Sequence, residues 1–566
     1  MRINYFRIVL IYCGLLALAG LLVGRLYWLQ VIEGQKYAIK AERQYTKPST
    51  NIFNRGAVFF QTKDSTLISA ATLKSGFTVV VNPSKISNPE AVYEKLAPIL
   101  LIERVDFLTK ISNKKDVYRE IVKRVDVTKA EAISALKITG VSILKENWRL
   151  YPAGSLAAHA LGLVGYKGNE FAGRYGLERF YEGTLKRDPE ALFANFFAET
   201  FSNVKKTVGG ESSEGDVVTT IEPTVEDFLE KVLASTTDRY KSKKTGGIII
   251  NPTTGEIYAM GVYPTFDPNN PQVEKNVSIF SNPLVENVYE MGSIIKPLTV
   301  SAGLDVGVIT PKTTYFDQGW LTLNKATISN YDHKGRGVVT MQQVLNQSLN
   351  TGVAFVVKAM GKERFAQYML NFGLGEKTGI DLPNESSGLV TNLRSPRDLE
   401  YATASFGQGI AMSPMATTRA LSALANGGKL VTPHLAKKIN YSIGLSKTLT
   451  YPEGAQVIKK ETADTITKML VTVVDEALAN GKVKNPRYSV AAKTGTAQIS
   501  NPAGGYYTDR YLHSFFGYFP ASAPKFLVFL YTVEPQGVQY ASETLTPSFM
   551  ELSKFLLNYY EVPPDR

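Results

Sequence analysis

The longest uncharged apolar run lies at residues 8–24, IVLIYCGLLALAGLLVG. As a helix its 17 residues rise about 26 Å, near the lower limit for crossing a bilayer. Arg2 and Arg7 precede it, which places the N-terminus in the cytoplasm and the bulk of the chain outside. Tyr27 and Trp28 follow Arg25 where an interfacial aromatic belt belongs. Ala17-Leu18-Ala19 resembles a signal-peptide cleavage site. The apolar run continues through Leu21, Leu22 and Val23, which favours an uncleaved single-pass anchor, and either reading exports the chain. Residues 30–50 read as a polar continuation of the helix and a linker. Beyond them short strand-like runs alternate with charged helical stretches. Phe77–Val81 reads as a strand. Ala91–Lys110, broken near Pro98, and Lys129–Leu136 read as helices. Glycines between Gly154 and Gly183 mark turns, and Glu211–Gly215 is a polar break.

After Thr224 the texture changes. Val225–Ala234 has helical spacing, and Gly247–Ile250 reads as a buried strand that turns at Thr253-Thr254-Gly255 and returns over Glu256–Gly261. Near the end, Phe515–Phe519 and Phe526–Val533 read as two further strands, and Pro547–Tyr559 as a closing helix. Strands at both ends of this segment with helices between them predict an α+β fold whose antiparallel sheet unites the first and last strands.

A chain of 566 residues needs two to four domains. The net charge of +12 suits an anionic membrane or wall surface. No zinc-ligand spacing, RNA-recognition motif or dense basic helix points to nucleic acid. Cys13 is the single cysteine, and His159, His333, His434 and His513 are scattered, so neither a disulfide nor a metal site is expected.

Three short polar motifs stand in order: Ser293-Ile294-Ile295-Lys296, Ser348-Leu349-Asn350 and Lys493-Thr494-Gly495. They supply a nucleophile, groups that move its proton, and cations and hydroxyls for a carboxylate, the components of acyl transfer through a serine ester. Each motif alone is weak. S-x-x-K also occurs at Ser112–Lys115, Ser142–Lys145 and Ser202–Lys205, K-T-G at Lys244–Gly246 and Lys377–Gly379, and S-x-N at Ser49–Asn51. Context separates them. Ser293 follows Gly292 among apolar residues, and Pro297 fits a first helical turn, which puts Ser293 and Lys296 on one face. Lys493-Thr494-Gly495 lies in a strand of small residues, Val490–Ala497, whose edge another backbone can approach. Lys244–Gly246 precedes a strand, and Lys377–Gly379 follows a Gly-rich turn.

With these motifs the chain resembles the class B penicillin-binding proteins, membrane-anchored peptidoglycan transpeptidases. Further carriers are Asn54-Arg55-Gly56-Ala57-Val58, Arg149-Leu150-Tyr151-Pro152 with Ala157–Gly162, Tyr175–Glu178, Phe406–Gly409 and Ala425–Gly428. Two departures stand out: Glu290-Met291-Gly292 where the family often has Glu-Pro-Gly, and no clear D-R-x-G at Phe59–Asp64.

The resemblance implies a cytoplasmic tip and transmembrane anchor over 1–30, a non-catalytic pedestal over 31–223 and a transpeptidase domain over 224–566. It implies that Ser293 attacks a D-Ala-D-Ala stem peptide, with Lys296 as base and Ser348 as proton relay. Asn350 would bind the substrate amide, and Lys493, Thr494, Gly495 and Thr496 would line the carboxylate side. The N–H groups of Ser293 and Thr496 would form an oxyanion hole. An amine from a second stem then attacks the ester, and no cofactor or metal is required. Implied partners are β-lactams, the inner membrane, a SEDS-type glycan polymerase, and divisome or elongasome proteins. His513–Pro520 resembles division enzymes more than elongation enzymes. Two other functions share the motifs: a D,D-carboxypeptidase, and a sensor or scaffold that acylates without turnover.

Overall fold

The structure, a computed structural model, describes residues 2–28, 53–167, 170–187, 214–441 and 444–566. The expected linker at 30–50, the break at 211–213, and the spare motifs at Ser49–Asn51 and Ser202–Lys205 lie outside them. Arg2–Tyr27 is one helix, α1. Among the described residues no helix is long and apolar enough to cross a membrane, so the transmembrane helix expected over 8–24 is not borne out here.

The chain divides into two compact units, one of Met1–Phe53 and Ser75–Asn147, the other of Asn54–Lys74 and Trp148–Arg566. In the first unit, residues 77–81 pair antiparallel with Arg119–Val125. Helices Pro89–Leu100, Arg104–Lys110 and Val127–Ala135 belong to the same unit, and its core gathers Val79, Leu96, Phe107, Ile121 and Ile133. The helical break falls at Leu101, in left-handed backbone (φ 51°), not at Pro98. A proline that close to the C-terminus removes one internal hydrogen bond, and the helix runs two residues past it.

In the second unit, Val58–Gln61 and residues 67–71 form a hairpin through Thr62–Ser65 in place of a D-R-x-G loop. Three motifs distant in sequence meet beside it around a buried carboxylate. Arg55 Nε and Arg149 Nε each donate to Glu178, at 2.6 Å, and Arg149 Nη1 also donates to the Gly56 carbonyl at 2.7 Å. The Tyr151 hydroxyl reaches the same carboxylate at 3.3 Å. Burial alone would push the Glu178 carboxyl up. The two guanidiniums more than offset this and hold it below the usual range. Removing one partner of a buried ionic cluster leaves the others uncompensated. Glu178→Ala is therefore expected to lower stability by about 3–5 kcal/mol, read as a shift of the urea midpoint.

A five-stranded sheet comes from both ends of the segment after residue 224, as its hydrophobic pattern predicts. Helix α2, Pro223–Tyr240, precedes strands β1, Lys244–Ile250, and β2, Ile257–Tyr263. Three late strands complete the sheet: β3, Ala491–Ser500, β4, Tyr506–Phe519, and β5, Phe526–Val533. The order is β3-β4-β5-β1-β2, and all neighbours are antiparallel. Side chains alternate between faces at the strand period. Phe515, Phe519, Val528 and Leu530 pack in one cluster with Leu229 and Leu233 of α2 and Phe549 and Leu552 of the closing helix. Phe516, Tyr518, Phe529 and Tyr531 belong to a separate cluster with Ile294 and Leu298. The closing helix spans Ala541–Tyr559, six residues longer than its Pro547 start signal suggests. At its true start the Glu543 side chain reaches back to accept from the Tyr540 N–H at 3.3 Å.

Candidate active site

Ser293 lies in the short 3-10 turn Gly292–Ile295, which runs into helix α3, Lys296–Val306, with Pro297 in its first turn as expected. The turn depends on Gly292. Its φ is +65°, and a Cβ there would stand 2.9 Å from the Thr496 carbonyl oxygen. Met291 occupies ordinary right-handed backbone, so the absent proline is harmless. Gly292 N–H donates to the Gly407 carbonyl at 3.1 Å, which gives the Phe406–Gly409 segment its place. The Ser514 hydroxyl ties the Met291 carbonyl to the sheet at 2.7 Å. Sequence reading assigned Ser514 no role, because its partner is 223 residues away and nothing local signals it.

Ser348 and Asn350 lie at the start of helix α4, Asn350–Met360. Ser348 is held in left-handed backbone, φ 54°, a strained conformation for a residue with a Cβ. Asn350 Nδ2 donates to the Ser329 carbonyl at 2.8 Å, which fixes the amide plane. Lys493, Thr494, Gly495 and Thr496 lie along β3, which among the described residues pairs only with β4 and so forms an edge of the sheet. Lys244–Gly246 forms the first residues of β1 rather than preceding it, since Val533 pairs with Lys244 there. That strand is paired on both sides, so its K-T-G offers no edge. Thr378 of the remaining match is buried and bound to Glu385. Ser112 and Ser142 are exposed.

The three motifs converge. Lys296, fully buried, donates to both the carbonyl and the hydroxyl oxygen of Ser348, the latter at 3.1 Å. Lys493 donates to the same hydroxyl oxygen at 3.0 Å and to the Thr494 carbonyl at 3.0 Å. Ser348 Oγ therefore bridges two amines. The described hydrogen bonds of Lys296 go to Ser348, and none joins it to the Ser293 hydroxyl; such contacts tighten when substrate arrives. Among the described residues no carboxylate forms a salt bridge with either amine. Burial, and then the charge of Lys493, push the Lys296 amine well below its ordinary value. Burial lowers Lys493 to about 7. Thr496 Oγ1 accepts from Ala541 N–H at 3.1 Å. Among the described residues no group of ligating side chains could hold a metal ion.

Gly495 allows β3 to sit against the serine turn. A Cβ there would meet Ser514 Oγ at 2.4 Å, the Met291 carbonyl at 2.7 Å and Ile294 N at 3.0 Å. Gly495→Val should displace the turn from the strand. The expected outcome is a folded protein whose penicillin acylation falls by at least about tenfold, a cost of some 1.4 kcal/mol in the barrier, measured by labelling kinetics.

The sequence profile of the penicillin binding protein transpeptidase domain matches residues 245–554, more than half of the chain, and that of the penicillin-binding protein dimerisation domain matches residues 61–189. The chain belongs to the penicillin-binding protein transpeptidase family. It is 29% identical over 536 residues to stage V sporulation protein D of Bacillus subtilis, covering 92% of this chain and 81% of that one. It is 31% identical over 414 residues to a probable peptidoglycan D,D-transpeptidase FtsI of Caulobacter vibrioides, covering 72% and 64%. Among solved structures, penicillin binding protein 3 of Mycobacterium tuberculosis superposes with a TM-score of 0.65 at 26% identity, over 74% of this chain and 92% of that one.

Proposed function

We propose that this chain is a peptidoglycan D,D-transpeptidase that cross-links stem peptides through an acyl ester on Ser293. The observation that carries this reading is the Lys296–Ser348–Lys493 hydrogen-bond chain, which meets the Ser293 turn at the free edge of β3. The lowered Lys296 amine takes the Ser293 proton as the hydroxyl oxygen attacks the penultimate D-alanyl carbonyl. The carbonyl oxygen becomes an oxyanion held by the N–H groups of Ser293 and Thr496. The peptide bond breaks, and the leaving D-alanine amine receives a proton through Ser348. Asn350 binds the donor amide, and Lys493 with Thr494 and Thr496 binds the terminal carboxylate, with Gly495 keeping the strand close. An amine from a second stem then attacks the ester, returning the proton along the same path.

The architecture in this reading is an anchor over 1–30, a pedestal over 31–223 and a transpeptidase domain over 224–566. Leu15, Leu16, Leu18, Leu21, Leu22 and Val23 of α1 are each more than half exposed. Such a surface needs a covering, which supports a single-pass anchor in the cytoplasmic membrane with the catalytic domain outside. A septal role in cell division and pairing with a SEDS-type polymerase rest on the sequence resemblance. Incubation with stem peptides and product analysis test the activity. A cross-linked dimer is expected. A shortened monomer alone would indicate a D,D-carboxypeptidase, and a stable adduct without turnover a sensor or scaffold.

A further inference from the structure

Going from Lys493 to Ser500, β3 passes Lys493 beside Ser348, then Gly495 against Met291 and Ile294, then Thr496 and Ala497 against Gly292. At its far end Ser500 pairs with Tyr506, whose hydroxyl donates to Glu290 Oε1 at 3.2 Å. This edge of β3 therefore has an amine at one end and a carboxylate at the other. Glu290 stands three residues before the nucleophile. Its second oxygen, Oε2, is buried without a hydrogen-bond partner, and among the described residues no lysine, arginine or histidine forms a salt bridge with it. Burial pushes its carboxyl up, against the Tyr506 hydroxyl and the Gly409 amide. A partly buried carboxylate at the end of this strand edge, with no cation paired to it among the described residues, is half of an ion pair.

The reaction proposed above names the other half, and the inference rests on that reading. Cross-linking consumes an amine of the acceptor stem. Donor and acceptor stems are alike, so the donor carries the same amine on its own side chain. With the donor's terminal carboxylate at Lys493 and its scissile carbonyl at Ser293, the preceding residues extend towards Ser500. From Thr496 to Ser500 is about 13 Å of strand. A residue two positions before the terminus, bearing a side chain of four or five carbons, spans that distance. We propose that Glu290 receives the side-chain ammonium of the donor stem's diamino residue and so sets donor specificity.

The test compares Nα-acetyl-L-Lys-D-Ala-D-Ala with its Nε-acetylated form. D-alanine release and protection against fluorescent penicillin are the readouts, for wild type, Glu290→Gln and Tyr506→Phe. Wild type is expected to favour the free amine by about tenfold or more in kcat/KM. Glu290→Gln should bring that ratio close to one, and Tyr506→Phe, which leaves the carboxylate in place, should keep it. A wild type that takes penicillin but treats the two peptides alike overturns the inference. So does a Glu290→Gln protein that keeps the preference, or one that loses penicillin labelling and both peptides equally, which would make Glu290 a prop for the serine turn. A wild type that takes neither penicillin nor either peptide removes the transpeptidase reading itself.

Discussion

Ser293→Ala is expected to give no covalent adduct with a fluorescent penicillin, while the wild-type label maps to the peptide containing Ser293. The expectation follows from geometry more than from the motif. Ser293 is only partly buried, on a turn fixed by Gly292, Gly407 and Ser514. The amines and the Ser348 hydroxyl assemble beside that turn and at no other S-x-x-K match among the described residues. Among the described residues no other S-x-x-K serine stands beside these amines, and the Ser348 hydroxyl is engaged by both of them, so the loss should be complete and not graded. An adduct retained on the variant, at that turn or elsewhere, would sink the assignment of the nucleophile.

Removing the amine of Lys296 should slow acylation by about 10²–10⁴-fold, the range for loss of a positioned general base. Lys296→Ala should remain folded, and near-normal acylation would move the base elsewhere. The pH profile adds a second check. Burial and the Lys493 charge lower the Lys296 amine, so acylation should fall as acid protonates this base. In the free enzyme Lys493 is lowered to about 7 by burial, so carboxylate capture should weaken above that pH. A bell-shaped second-order acylation constant is expected, and Lys493→Arg, which keeps its charge, should flatten the alkaline limb. Stability carries the matching sign. Both folded pKa values lie below the unfolded value of about 10.4, so between these limits the unfolded chain binds more protons and stability rises with pH. Lys296→Met, which removes a buried amine, should show the same slowing yet unfold at neutral pH no earlier than wild type.

The local code was legible in the sequence. Short continuous apolar runs placed β1, β2, β4 and β5, because each buries side chains on both faces and tolerates few polar residues. Pro297 marked the start of α3, because a first-turn residue needs no intrahelical N–H bond. The three polar motifs stood out by their neighbours: small residues around Lys493, apolar ones around Ser293. What the sequence left open depended on partners far along the chain. No local signal tells that Arg55, Arg149 and Glu178 form one buried cluster, or that Ser514 holds Met291. Nor does spacing place Lys493 and Lys296 on the same hydroxyl. Their lowered pKa values come from burial and, for Lys296, the added charge of Lys493, which exist only once helix α3, helix α4 and strand β3 have packed together. The sequence by itself determined which groups were available and which elements carried them. The tertiary structure decided which groups share a hydrogen-bond chain and which carboxylate, at Glu290, has no cation paired to it among the described residues, because desolvation and Coulomb interaction depend on distance through space and not along the chain.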